Sequence, residues 1–414
     1  MTITTDEATD EAHEDPQRGA VGTRPLAGLL VVGLEQAVAA PIATRHLADM
    51  GARVIKIENP RGGDMTRHYD SAQAGMAAHF VWCNRGKESL ALNIADPRGA
   101  AALERLLARA DVVIQNFAPG AAARRGLAAS QLVARHPRLV AVDISGYGEG
   151  GPLSGKRAYD LLVQSEGGSC TVTGGPGQPA KPGIAMIDLA TGMYALSWIL
   201  GALHARHSTG RGEAITIGMF DVVAEWMGYQ VNYTMGTGLE QEPAWVGSPA
   251  VAPYGTYPTS DGQTVVLGTT NDGEWQRLAR TVLERLDLAD DPALAGNAGR
   301  VAQRARVDEA IAAWTSTVTL KEAQDVLDAA GLGNARLNGV QDLIDHPQLA
   351  VRDRWREVAT PHGAFRAVLP PPVAAGWTPP MGQVPGLGEH STAVLGELGY
   401  SSAELIDWRR DGVI

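Results

Sequence analysis

One acidic residue, Asp188, stands between two apolar runs in the stretch "PGIAMIDLATGMYALSWILGALHARH". A carboxylate just ahead of a helical pattern can do two things. It can cap the helix, since Asp is among the preferred N-cap residues and its replacement by Ala there typically costs about 1 kcal/mol. Held near helix N–H groups and partly desolvated, it can also act as a nucleophile, with those groups close to developing negative charge. Residue type and position leave both roles open.

Three glycine-rich turns carry further chemistry: "ENPRGGDMTRHYD", "QNFAPGAAARRG" and "SGYGEGGPLSGKRAYD". Each contains Arg or Lys. Glycine lets backbone N–H groups approach an anion closely and a basic side chain adds charge, so the three together suggest a phosphate-bearing ligand. Singly, each also fits a solvated loop. The first strand is followed by "VVGLEQAVAAP", which lacks the G-x-G-x-x-G of a dinucleotide site. A Walker loop, H-E-x-x-H and G-x-S-x-G are also missing, and the ten histidines form no metal-ligand spacing. No metal and no resident prosthetic group is expected.

The elements that must position these residues follow a strand–helix rhythm. "LAGLLVVGL", "RVIKIE", "SLALNI", "DVVIQNF" and "RLVAVDISGYG" read as strands. Between them come "APIATRHLADMGA", ending near Gly51, "ADPRGAAALERLLARA", with Asp96 as cap and Pro97 at the first helical position, and "SQLVARHP". This alternation predicts an α/β fold with a parallel sheet, helices on both faces and ligands at the C-terminal ends of the strands. After Asp188 a long helix, a strand and a further helix follow. A Pro-, Gly- and aromatic-rich region around a hairpin then begins a smaller α+β domain.

Six segments are expected: a disordered acidic tail (1–24), the N-terminal part of a large domain (25–220), a linker helix (221–244), a small domain (245–335), a connector (336–372) and a C-terminal part returning to the large domain (373–414). The 414 residues carry a net charge of −11, which argues against a nucleic-acid partner. Anionic ligands must then be met by local Lys and Arg clusters. No apolar run approaches the roughly 20 residues that cross a bilayer; Ser197, His204 and Arg206 interrupt or close the helix that comes nearest. Two cysteines cannot build a disulfide framework or a zinc site, which suits a reducing cytoplasm. The N-terminal segment has neither the apolar core of a signal peptide nor the pattern of a transit peptide.

Taken in order, "RPLAGLLVVGLEQAVAAPIATRHLADMGARVIKIENPRGGDMTR", "NRGKESLALNIADPRG", "ADVVIQNFAPGAAARRGL", "VDISGYGEGGPLSGKRAYDLLVQSEGG" and "IDLATGMYALSWILGALHARHSTGRGEAITIGMFD" resemble the class III CoA-transferases, the CaiB/BaiF family that includes formyl-CoA transferase. "PAVAPYGTYPTSDG" and "VPGLGEHSTAVLGELGY" extend the similarity to nearly all but the tail. The resemblance implies a Rossmann-like large domain built from both chain ends, a small inserted domain, and a homodimer of two interlocked rings. It implies an acyl-CoA and a carboxylic acid as substrates, with Asp188 as nucleophile and mixed-anhydride and aspartyl-CoA thioester intermediates.

By the same resemblance, Val38 and Ala39 line the CoA channel, Asn59 stands where some relatives have Arg, and Arg61 and Arg67 are placed to take over that charge. Lys87 matches a basic CoA contact, Asn116 and Phe117 flank the nucleotide, Arg124 and Arg125 follow them, and Arg157 reaches toward the phosphates. Two departures count against a formyl or oxalyl substrate: Val38 replaces a Gln of oxalate-type relatives, with Gln36 nearby, and "WVGSPAVAPYG" replaces a tetraglycine loop. Racemases of the family pair the Asp with a His base. Tyr159 falls at that position, and with an ordinary pKa of about 10 it is a poor base near neutrality. It can pack, or hydrogen-bond near the thioester. CoA transfer is thus favoured over an α-methylacyl-CoA racemase or a non-catalytic acyl-CoA binder.

Overall fold

A computed structural model describes residues 24–414, so most of the expected acidic tail lies outside the described residues. The described chain divides into two compact units, 24–157 with 188–218 and 355–414, and 158–187 with 219–354.

The first unit opens with β1 (Leu30–Leu34), α1 (Ala39–Asp49), β2 (Arg53–Glu58), α2 (Ala78–Asn84) and β3 (Lys87–Ala91). It continues through α3 (Pro97–Leu107), β4 (Val112–Gln115), α4 (Ala121–Arg124), α5 (Ala129–Arg135) and β5 (Val140–Ser145). The chain then leaves for α6 (Asp160–Glu166) and the short hairpin β6 (Gly174–Gly175) and β7 (Gln178–Pro179), and returns along α7 (Met186–Thr209) to β8 (Ala214–Gly218). Strands pair in parallel in the order β3-β2-β1-β4-β5-β8. Val, Ile and Leu dominate these strands because a parallel sheet is covered on both faces. One core joins Val32, Ile55, Leu90 and Val113 of the sheet to Leu103, Leu106 and Leu107 of α3. Asp96 caps α3 by accepting the Arg98 N–H at 2.8 Å, with Pro97 at the first position, as the residue types require.

Helix α7 runs unbroken for 24 residues and is long and apolar enough, by length and composition, to cross a bilayer. Ser197 does not interrupt it: its hydroxyl donates to the Met193 carbonyl within the helix at 2.9 Å. Ala190, Ala195, Leu196, Ile199 and Leu203 are buried, whereas Met193 and Trp198 are exposed.

The second unit adds α8 (Met219–Trp226) and α9 (Gly228–Thr237), two helices where one linker helix was expected. Hairpin β9 (Tyr254–Pro258) and β10 (Thr264–Gly268) follows, then α10 (Asp272–Arg277), α11 (Leu286–Ala289), α12 (Asn297–Ala302), α13 (Arg304–Thr315) and α14 (Leu320–Ala329). Strand β11 (Asn334–Arg336) completes a sheet ordered β11-β10-β9, and α15 (Val340–Ile344) and α16 (Pro347–Val351) end the unit. Its core gathers Trp275, Leu278, Val307, Ile311, Leu320 and Leu327. Back in the first unit, the hairpin β12 (Trp355–Thr360) and β13 (Gly363–Val368) shares an apolar cluster with Phe80 and Val81 of α2. Helices α17 (Ser391–Glu397) and α18 (Ser402–Arg410) close the chain. Residues 158–187 thus group with the second unit and 355–372 with the first, so both differ from the boundaries read from composition.

Candidate active site

In the sheet order the chain reverses direction of growth between β1 and β4, and open α/β sheets bind ligands in the crevice at that point. Two loops meet there. Asn116, just past β4, accepts the Gln36 N–H on Oδ1 at 2.9 Å and donates from Nδ2 to the Gln36 carbonyl at 2.8 Å. The reciprocal pair clamps the β1–α1 turn to the end of β4. Ala37, next in that turn, has φ of 62°, a left-handed conformation that strains a residue with a Cβ. Its N–H is taken by Asp64 Oδ1 at 3.2 Å.

Val38 and Ala39 are buried where α1 begins, and no side chain caps that end. Helix α7 crosses them. A Cβ on Gly192 would lie 2.1 Å from Ile42 Cγ2 and 2.6 Å from the Ala39 carbonyl oxygen, so only glycine permits this approach. Leu189 packs on the cluster of Val38, Ile42 and Cys83. Asp188 lies one helical turn before Gly192 on the same face, and it is half-buried.

Asp188 lies past the N-cap position of α7. The helix begins at Met186, which puts Asp188 inside the first turn, and the Ile187 N–H donates to Asp160 Oδ1 at 2.9 Å. Asp160 is held by Lys181 at 3.0 Å and by the Gln164 amide at 2.7 Å. A carboxylate distant in sequence thus satisfies one of the free N–H groups at this helix start. Tyr159 precedes α6 and is exposed.

Beside the β1/β4 crevice, a cavity of about 460 Å³ runs along the ends of β4, β5 and β8, lined by Gln115, Phe117, Gly120, Asp143, Ser145 and Thr216 among others. Gln115 organises its floor: Oε1 accepts the Phe117 N–H at 2.7 Å and Nε2 donates to Asp143 at 2.8 Å. Burial raises the Asp143 carboxyl above its ordinary value, against the Ala129 N–H and Gln115 that favour its charged form. Arg124 arches over Gly120, its Nη1 2.8 Å from where a Cβ would stand, and Gly120 takes φ of 71°. Arg124, Arg125 and Arg157 are exposed. So are Asn59 and Arg61, the Asn59 side chain accepting the Arg61 N–H at 2.9 Å.

Two basic residues expected at the CoA site, Lys87 and Arg67, are engaged with protein partners. Lys87 is buried and its ammonium donates to Glu35 Oε1 at 2.7 Å, the Pro41 carbonyl at 2.9 Å and Asn84 Oδ1 at 2.9 Å. An ammonium has three protons to donate, and all three are used; Lys87 faces inward and does not offer a surface charge. Burial also lowers its pKa to about 8. Arg67 forms a bidentate pair with Glu58 at 2.7 and 2.8 Å and lies 3.6 Å over the Phe80 ring.

Lys87 is one end of a buried array that motif reading passed over. Lys56 donates to Asp64 Oδ2 at 2.8 Å and to the Glu35 carbonyl at 3.1 Å, and lies 3.6 Å from Glu35 Oε1. Burial opposes ionisation of Glu35, but Lys87, Lys56 and its hydrogen bonds hold the carboxyl below its ordinary value. The signal was present in "RVIKIE": charges two apart in an otherwise apolar parallel strand share one covered face.

The model of CoA-transferase family III matches residues 26–391. The chain belongs to that family. Among its relatives, the succinate–glutarate CoA-transferase of Agrobacterium fabrum is 35% identical over 391 residues, covering 90% of this chain and 96% of the relative. The human succinyl-CoA:glutarate CoA-transferase is 28% identical over 394 residues, with 92% and 88% covered. A crystal structure of a CaiB/BaiF family protein from Brucella suis superposes with a TM-score of 0.78 at 32% identity, covering 91% of this chain and all of that one. As a class III CoA-transferase, the protein is an enzyme whose substrates include CoA thioesters.

Proposed function

We propose that this CoA-transferase moves coenzyme A from an acyl-CoA donor to a small carboxylic acid through covalent intermediates on Asp188. The observation that carries this reading is the placement of a half-buried carboxylate in the first turn of α7, on the face that meets the N-terminus of α1 through Gly192. The Asp188 carboxylate attacks the thioester carbonyl; a C–O bond forms, the C–S bond breaks, and the products are a mixed anhydride and CoA thiolate. The thiolate then attacks the aspartyl carbonyl, forming the aspartyl-CoA thioester and releasing the donor acid as its carboxylate. The acceptor carboxylate runs the two steps in reverse. Splitting the exchange into covalent steps avoids direct attack of a weak nucleophile on the thioester in a single event.

The nucleotide end of CoA enters beside Asn116 and Phe117, with Arg124, Arg125, Arg61 and Arg157 near its phosphates. The names of the relatives support succinyl-CoA as donor and a short dicarboxylate such as glutarate as acceptor. The working unit is a homodimer, interlocked as in the family: α9 buries none of its own residues and exposes Tyr229, Val231 and Met235, an apolar surface suited to a second chain.

Trapping tests the mechanism. Wild-type enzyme with succinyl-CoA and hydroxylamine is expected to gain a hydroxamate on the peptide containing Asp188, found by mass spectrometry. Asp188→Asn is expected to lose transfer by at least a thousandfold while remaining folded. Turnover by Asp188→Asn within tenfold of wild type would refute the nucleophile.

A further inference from the structure

Beneath the β1–α1 turn, four ionisable side chains are buried together: Glu35, Lys56, Asp64 and Lys87. Arrays of this kind are weak contributors to stability, since well-packed apolar residues in their place are often as stable or more so. Where these four direct their hydrogen bonds is informative. Asp64 holds the N–H of the strained Ala37. Lys56 holds the Glu35 carbonyl at the start of the turn. Lys87 holds the Pro41 carbonyl in the first turn of α1 at 2.9 Å, and Glu35 accepts the Thr44 hydroxyl one turn further at 2.7 Å. Every member therefore reaches an atom between residues 35 and 44, the same stretch that α7 meets through Gly192.

We propose that this array is a positioning device for acyl transfer, that it fixes the β1–α1 turn and the N-terminus of α1 against the Asp188 face of α7, and that Asp64 is its coupling residue. The proposal rests on Asp188 as nucleophile. Asp64 uses one oxygen on Ala37 and on the N–H and hydroxyl of Thr66, the other on Lys56. It thus ties the turn to the charges below without touching the crevice. Such a residue acts on the chemical step, because geometry errors of about 1 Å at a reacting pair can lower rates by roughly a hundredfold.

Asp64→Asn is nearly isosteric but must turn its amide N–H toward either Lys56 or Ala37, both donors. The expected result is a kcat reduced tenfold or more, a KM for acyl-CoA within threefold of wild type, and slower build-up of the Asp188 hydroxamate. Asp49→Asn serves as comparison. It breaks a buried pair with Arg85, 2.6 Å apart, at the other end of α1, and is expected to lower the melting temperature with kcat within threefold of wild type. Should Asp64→Asn fail to fold, Thr44→Val removes one bond to Glu35, with a threefold or greater loss in kcat and unchanged KM expected. A folded Asp64→Asn or Thr44→Val with wild-type kcat, or a kcat loss equalled by Asp49→Asn, overturns the positioning role. Absence of the wild-type hydroxamate would instead overturn the nucleophile, so the two failures are distinct.

Discussion

His46 accepts a hydrogen bond from a guanidinium: Arg45 Nη2 lies 3.0 Å from His46 Nε2, and a guanidinium can only donate. The imidazole is neutral in the fold, and burial with the neighbouring Arg45 and Arg85 lowers its pKa to about 3. In the unfolded chain the same ring titrates near 6.5. Between about pH 6.5 and 3 the unfolded chain binds the extra proton, so stability is fully present above pH 6.5 and declines as pH falls through this window. Thermal unfolding followed by circular dichroism at pH 7.5, 6 and 5 is expected to show this decline. His46→Gln, which keeps an acceptor for Arg45 and cannot titrate, is expected to flatten it; an equal slope in the variant would assign the decline to other groups. The charged partners around His46 explain why "ATRHLAD" gave no hint of this behaviour: Arg85, which helps to lower its pKa, lies 39 residues further along the chain.

Helix pairing tells a similar story about what a sequence discloses. The strands and the helices between them were legible because hydrophobic runs, Asp96–Pro97 and the Gly51 break are local signals. Asp188 was legible as a carboxylate at a helix start, but not the contribution of Asp160, 27 residues before Ile187, which accepts the Ile187 N–H in that first turn. The partition of 158–187 and 355–372 between units likewise follows from long-range packing that composition does not encode. Gly192 is the sharpest case, an unremarked helical glycine made necessary by Ile42 and the Ala39 carbonyl. Gly192→Ala is expected to lower the melting temperature by several degrees and kcat/KM by at least tenfold, because α1 and α7 must separate at the Asp188 face. Gly201→Ala, in the same helix with nothing within 4 Å of its Cβ position, is expected to leave stability unchanged or raised, since Ala is favoured over Gly by about 1 kcal/mol in helices. Equal melting temperatures and activities for the two variants would remove the close approach from the mechanism.

Across the whole molecule the charge is −11, opposed to a substrate that is itself polyanionic. In the proposed CoA site, attraction comes from the exposed cations near the cavity, since Lys87 and Arg67 are committed to Glu35 and Glu58. Arg124 stands over Gly120 at the cavity edge, where a bound anion would lie within a Debye length of it, about 8 Å at 0.15 M salt. Arg124→Glu is therefore expected to raise KM for acyl-CoA roughly tenfold at 0.05 M salt by steering and contact effects, with kcat within twofold of wild type. The ratio of variant to wild-type KM is expected to shrink as salt rises to about 0.5 M, because screening weakens the substituted charge in both forms. A ratio that does not change with salt would mean that Arg124 acts by shape, and a ratio near one throughout would take it out of the CoA site. Global repulsion is common to both proteins and cancels in the ratio, which isolates the local cation from the acidic background.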